Sequence, residues 1–190
     1  AYGYDDAKEL AAVFQGTKSG YSYGRQVNPT VTALESKITV MESGVSSVCF
    51  GTGMAAIGTT MFALLRSGDH IVSSAFLFGN TNSLFNTFGQ MGINVSFVDA
   101  TSLEAVAAAV TEKTRVVFVE TIANPRTQVA DLVRIGEFCA QHGLVYVVDN
   151  TMTSPYLFQA KAVGASLVVN SLTKYIGGHG NALGGAVTEM

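Results

Sequence analysis

RVVFVETIANPRTQVADLVRIGEFCAQHGLVYVVDN, residues 115–150, holds two almost wholly apolar runs around a segment of helical length. RVVFVET and LVYVVDN are too apolar for one face to meet water, so each reads as a strand covered on both sides. Asp131–His142 between them reads as a helix, which makes the stretch a strand–helix–strand unit. The same alternation runs outward. SSVCF, HIVSSAF, NVSFVDA and SLVVNS are further strand candidates, and Met54–Arg66, Thr81–Met91, Leu103–Thr111 and about Pro155–Val163 are further helices. The fold class that follows is α/β: a mostly parallel sheet with helices on both faces.

The first 45 residues differ. They are polar and rich in glycine and tyrosine, with a helix expected from Thr30 to about Ser43 because Asn28-Pro29-Thr30 is a helix-start signal. The expected division is therefore an N-terminal segment, 1–45, and a larger domain, 46–190. Composition narrows the partners. Hydrophobic residues are 48% and charged ones 13%, about half the usual charged share, which points to surface covered by further copies of the chain. A net charge of −3 leaves no basic footprint for nucleic acid. No apolar run approaches the roughly 18 residues of a membrane span. AYGYDDAKEL lacks a signal-peptide layout, and Cys49 and Cys139 read as buried thiols, so a cytoplasmic protein is expected. No metal site is expected.

Open parallel sheets bind ligands beyond the carboxyl ends of their strands. Those positions hold Gly51-Thr52-Gly53-Met54, Phe78-Gly79, Glu120 to Asn124, Asp149-Asn150-Thr151 and Ser171 to Lys174. GTGMAA matches the dinucleotide fingerprint, but the next strand, HIVSSAF, ends without the acidic residue a ribose needs. What survives is a helix N-terminus whose free N–H groups suit a phosphate, or a tight turn that binds nothing. Lys174 follows an apolar strand. An amine dehydrated there is a nucleophile toward an aldehyde, with Ser171 and Thr173 beside it to hold an anion; a lysine snorkelling to the surface is the alternative. Asp149 ends an apolar strand and needs a cation, such as a protonated pyridine nitrogen, unless it merely caps a helix. Asn124 offers an amide to a phenolic oxygen or starts the Asn-Pro turn. Phe78 offers a face for ring stacking or a core side chain.

Taken together, YGRQVNPT, GTGMAAI, FLFG, ETIANP, VVDNT and SLTKYIGGHG resemble the Cys/Met-metabolism enzymes dependent on pyridoxal phosphate. These are the cystathionine synthases and lyases, methionine γ-lyase and the O-acylhomoserine sulfhydrylases, and the resemblance covers essentially the whole chain. It implies the large domain of a fold-type I pyridoxal-phosphate enzyme. Lys174 would be the Schiff-base lysine and Asp149 the partner of the ring nitrogen. Ser171, Thr173 and the backbone of Gly53 and Met54 would hold the phosphate; Phe78 and Asn124 would contact the ring. Tyr23 and Arg25 would reach the cofactor of a neighbouring subunit in a homotetramer, a dimer of dimers with shared sites. Family members run to about twice this length, with a C-terminal domain whose arginine grips the substrate carboxylate, so a fragment is expected. Three positions depart from the family pattern: Phe78 for tyrosine, Asn170 for histidine and Asn181 for aspartate.

The function this implies is γ-elimination or γ-replacement on a small amino acid that carries sulfur or an O-acyl group. One alternative is a diverged branch with another lyase activity, marked by Phe78. A second, non-enzymatic one is a nucleotide-binding regulatory domain that uses the glycine loop alone.

Overall fold

The structure, a computed structural model, describes residues 2–190. Seven strands form one sheet: β1 (Ser46–Phe50), β2 (His70–Ser74), β3 (Asn94–Val98), β4 (Thr114–Glu120), β5 (Val145–Asp149), β6 (Leu167–Asn170) and β7 (Gly185–Glu189). Their order is β1-β7-β6-β5-β4-β2-β3. The pairs from β3 across to β6 are parallel, whereas β7 runs antiparallel to both β6 and β1. The helices are α1 (Ala7–Phe14), α2 (Pro29–Glu42), α3 (Gly53–Leu64), α4 (Gly79–Thr87), α5 (Leu103–Ala109), α6 (Leu132–His142) and α7 (Ser154–Leu157).

The apolar strands do face two layers. Along β4, Val116 and Phe118 point into a core with Ile57 and Met61 of α3 and Phe85 of α4. Val117 and Val119 point the other way, toward Val106 of α5 and Ile135 and Cys139 of α6. Period two then puts Glu120, and Asp149 beyond Val147, on the α3–α4 face at the carboxyl end of the sheet. The α/β expectation therefore holds, and so do the six strands read from the sequence.

Four elements differ from expectation. β7 was not foreseen; it is short, and its strand character comes from being wedged between β1 and β6. The helix expected at Thr81–Met91 starts at Gly79 and tightens into a 3-10 turn at Phe88–Met91, while Pro155–Val163 splits into α7 and a 3-10 turn at Ala160–Val163. Within the first 45 residues, Asp6 caps the unforeseen α1 by accepting the Lys8 N–H at 2.8 Å. Asn28 caps α2 as expected, taking the Thr30 N–H at 2.9 Å. Ile38 of α2 packs with Leu172 and Ala186, so this helix is part of the sheet's covering. Both cysteines are free thiols, Cys139 buried and Cys49 partly so.

Two glycines let the start of α3 sit against the sheet. A Cβ on Gly53 would lie 2.8 Å from the Ser171 Cβ. One on Gly185 of β7 would press on the Thr52 carbonyl and lie 2.9 Å from the Gly53 Cα. Both obstacles are main chain or stiff side chain, so neither can yield cheaply. Gly185→Ala is expected to destabilise the chain by about 1–3 kcal/mol in urea unfolding, and a loss within error would show that α3 can retreat freely.

Candidate active site

The α3–α4 face opens at the carboxyl ends of β4, β5 and β6 into a cavity of about 620 Å³. Eight of the ten site residues named from the sequence meet there. Gly53, Met54, Phe78, Asn124, Asp149, Ser171, Thr173 and Lys174 all line it.

The α3 end is an anion site by construction. The Thr52 hydroxyl caps the helix by accepting the Ala55 N–H at 3.0 Å, and the Thr52 carbonyl accepts the Ala56 N–H at 3.1 Å. Gly53 and Met54 immediately precede them in the first turn, where backbone N–H groups have no intrahelical acceptor, at the positive end of the helix dipole. Ser171 faces Gly53 across the glycine's empty Cβ position. Thr173 is already engaged: its hydroxyl accepts the Gly184 N–H at 3.1 Å and lies 3.2 Å from the Gly184 carbonyl, so its hydrogen has a protein acceptor at hand.

Asp149 ends β5 with its carboxyl on the cavity. Thr151 donates its backbone N–H to Oδ1 at 3.0 Å. Burial pushes the carboxyl above the usual range, with the Thr151 hydrogen bonds opposing the shift. No basic side chain forms an ion pair with it among the described residues. A buried carboxylate in this position accepts a cation or a proton.

Lys174 shares the cavity with Asp149, as the sequence reading requires, but it is not dehydrated. It is exposed, on the turns that follow β6, because the chain leaves the sheet at Asn170 and carries residue 174 out to the rim. Its backbone N–H is fixed by the Ser171 carbonyl at 3.1 Å. Phe78, at the start of α4, is 39% exposed and presents its ring to the cavity. Asn124 is exposed on the loop after β4. Tyr23 and Arg25 lie elsewhere: neither lines the cavity, both are exposed, and the Arg25 guanidinium stands 5.1 Å from the Tyr23 ring centroid. Asn170 is buried and donates to Glu42 of α2, as does Asn150 at 3.3 Å. The histidine-to-asparagine departure therefore falls in a buried polar contact between α2 and the strand ends.

Sequence reading passed over one participant, Glu120. It was noted only as a strand end, yet strand register pairs it with Asp149 and puts both carboxyls on one face. Burial and then the charge of Asp149 push its pKa up to about 7, against backbone donors at Phe78 and Asn124 that lower it. Adjacent acidic residues at the ends of neighbouring parallel strands, each in period with an apolar row, were the available signal.

Comparison with known proteins gives a consistent result. A family model described as "Cys/Met metabolism PLP-dependent enzyme" matches residues 1–190. The L-methionine γ-lyase of Fusobacterium nucleatum subsp. polymorphum is 39% identical over 186 residues, which cover 97% of this chain and 47% of that protein. The O-acetyl-L-homoserine sulfhydrylase of Leptospira meyeri is 36% identical over 190 residues, 100% of this chain and 43% of the other. A crystal structure from Campylobacter jejuni, assigned as an O-acetylhomoserine (thiol)-lyase, superposes with a TM-score of 0.92 at 32% identity. It covers 100% of this chain and 47% of that one, and it carries an N'-pyridoxyl-lysine-5'-monophosphate. The chain spans about half the length of the curated relatives it matches.

Glu120 has a measurable consequence. In the folded chain it keeps its proton up to about pH 7, whereas unfolded it releases it near its ordinary 4.5. The native state therefore binds more protons between those values, and stability falls as pH rises through them. Relative to Glu120→Gln, the cofactor-free chain is expected to lose up to about 3 kcal/mol of unfolding free energy across that window. A difference that stays flat with pH would mean the carboxyl is solvated.

Proposed function

The chain belongs to the Cys/Met metabolism family of PLP-dependent enzymes, and from that premise we propose that it serves γ-elimination or γ-replacement on a sulfur-containing or O-acylated amino acid. The observation that carries the reading is the cavity itself, where a buried carboxylate without a cation, a helix N-terminus with free donors and a lysine share one wall. These residues fit the cofactor. Asp149 suits the ring nitrogen, the Gly53 and Met54 N–H groups and the Ser171 hydroxyl suit the phosphate, and the open Cβ position of Gly53 leaves the cradle clear. Thr173 would join them by turning its hydroxyl from Gly184. Phe78 would stack on the ring and Asn124 would reach its phenolic oxygen.

When bound, pyridoxal phosphate supplies an electron sink for negative charge at the substrate's α-carbon. The rest falls to the chain. Lys174 Nζ would anchor the cofactor and, once released, take the α-proton and deliver protons further along the substrate. The exposed position of Lys174, on turns that contain Gly177, Gly178 and Gly180, supports such movement. Asp149 would hold the ring nitrogen's proton throughout. Phe78 keeps the stacking face but, lacking a hydroxyl, can pass no proton itself. The same feature favours the second reading, a branch of the family with another lyase activity.

Residues 1–45 would act between copies. Tyr23 is 46% exposed, Arg25 accompanies it, and neither faces its own cavity, which supports a role at the cofactor phosphate of a second subunit in a dimer of dimers. A cytoplasmic setting accords with the free thiols. Among the described residues no helix is long and apolar enough to cross a membrane.

The reading is tested by loading the chain with pyridoxal phosphate, reducing with borohydride and mapping the modified residue by mass spectrometry. Label is expected on Lys174 and absent from Lys174→Ala, and the loaded parent should release keto acid from at least one γ-substituted amino acid. A parent that takes up no label, or labels another lysine, would contradict it.

A further inference from the structure

Glu120 is the one carboxyl of the cavity for which this chemistry has no use, yet both of its oxygens are engaged by backbone donors. It is 7% exposed at the end of β4. Its Oε1 accepts the Phe78 N–H at 2.7 Å and its Oε2 accepts the Asn124 N–H at 3.2 Å. Phe78 lies on the loop from β2 into α4 and Asn124 on the loop after β4, so a single carboxylate ties together loops from neighbouring strands. α4 has no side-chain cap of its own, and an anion on the N–H of its N-cap residue, Phe78, stands at the positive end of the helix.

We propose that Glu120 is a positioning residue for the cofactor ring, holding the Phe78 ring and the Asn124 side chain in place through their backbone N–H groups. The inference rests on the pyridoxal-phosphate reading above. A glutamine of equal length would avoid repulsion with Asp149. However, an amide has one acceptor atom, and its Nε2 would face one of the two N–H donors. Only an ionised carboxyl satisfies both, which accounts for an acid placed beside another acid.

The clamp is coupled to the ring. Asp149, from β5, is the charge that bears on Glu120. β2 presents only Ser73 and Ser74 at its near end, Arg126 of the following loop lies against Phe76 at 5.9 Å, and Lys174 stands on the same cavity. A cation on Asp149 relieves the like-charge repulsion and favours ionised Glu120. By reciprocity, ionised Glu120 favours retention of the ring. A proton on Glu120 replaces one acceptor with a donor and loosens one loop.

The test is the rate at which the loaded chain releases pyridoxal phosphate to an excess of an apo-enzyme trap, followed by cofactor absorbance from about pH 8 to about pH 6. Glu120→Gln is expected to release it roughly tenfold faster at the upper pH, the loss of one charge-assisted bond. The parent's rate should climb toward that of E120Q as pH falls, a convergence that loss of packing alone would not produce. Glu120→Asp keeps the charge and is too short to span both donors, so it should release fast and keep a pH dependence. Should E120Q not fold, E120D carries the same comparison. An E120Q (or, in its place, E120D) with the parent's rate and pH profile overturns the inference alone. A parent that takes up no cofactor overturns the function reading, and this inference with it.

Discussion

A carboxylate at the end of an apolar strand has to find a positive partner or keep a proton, and Asp149 is in that position. β5 is buried through Tyr146, Val147 and Val148 before it reaches Asp149, and no side-chain cation meets the carboxyl among the described residues. Desolvation of a lone carboxylate is expensive enough that the group shifts its pKa, as this one does. The molecule thus carries a built-in demand for a cation at one point of its surface. The cavity, the phosphate-suited helix end and the lysine all lie around that point.

The sheet explains why they converge. Parallel strands release their chains at one edge, so β4 and β5 deliver Glu120 and Asp149 side by side, and β6 delivers Ser171 two residues beyond Val169, the partner of Asp149. Period two selects the face, and α3 with α4 covers that face while leaving its carboxyl end open. β7 then fills the space beside β6 in the opposite direction. The absence of a side chain at Gly185 lets α3 start close to Ser171. The polar N-terminal segment enters through α2, whose buried Glu42 bonds Asn150 and Asn170, the neighbours of Asp149 and Ser171.

Much of this was legible in the residues. Runs such as VVFV and VYVV permit little except strands buried on both faces, so the α/β class and six strands followed directly. Asn28-Pro29 announced α2. β7 was hidden because GAVTE follows a glycine-rich loop and is a strand only through its two neighbours. α1 was masked by the glycines and tyrosines around it, although Asp6 was a readable cap. At the site, Asp149 was readable because its strand is so apolar. The exposure of Lys174 was not, since nothing in SLVVNSLTK states where the chain turns away from the sheet. Glu120 was missed because its meaning depends on register with Asp149, which is a property of paired strands rather than of either alone.

The central claim is that the Asp149 carboxylate holds the proton of the cofactor's ring nitrogen. Nitrogen-15 NMR of the chain loaded with ring-labelled pyridoxal phosphate addresses it directly. The account predicts a protonated ring nitrogen at neutral pH in the parent and an unprotonated one in Asp149→Asn. The same nitrogen signal in both proteins would contradict it.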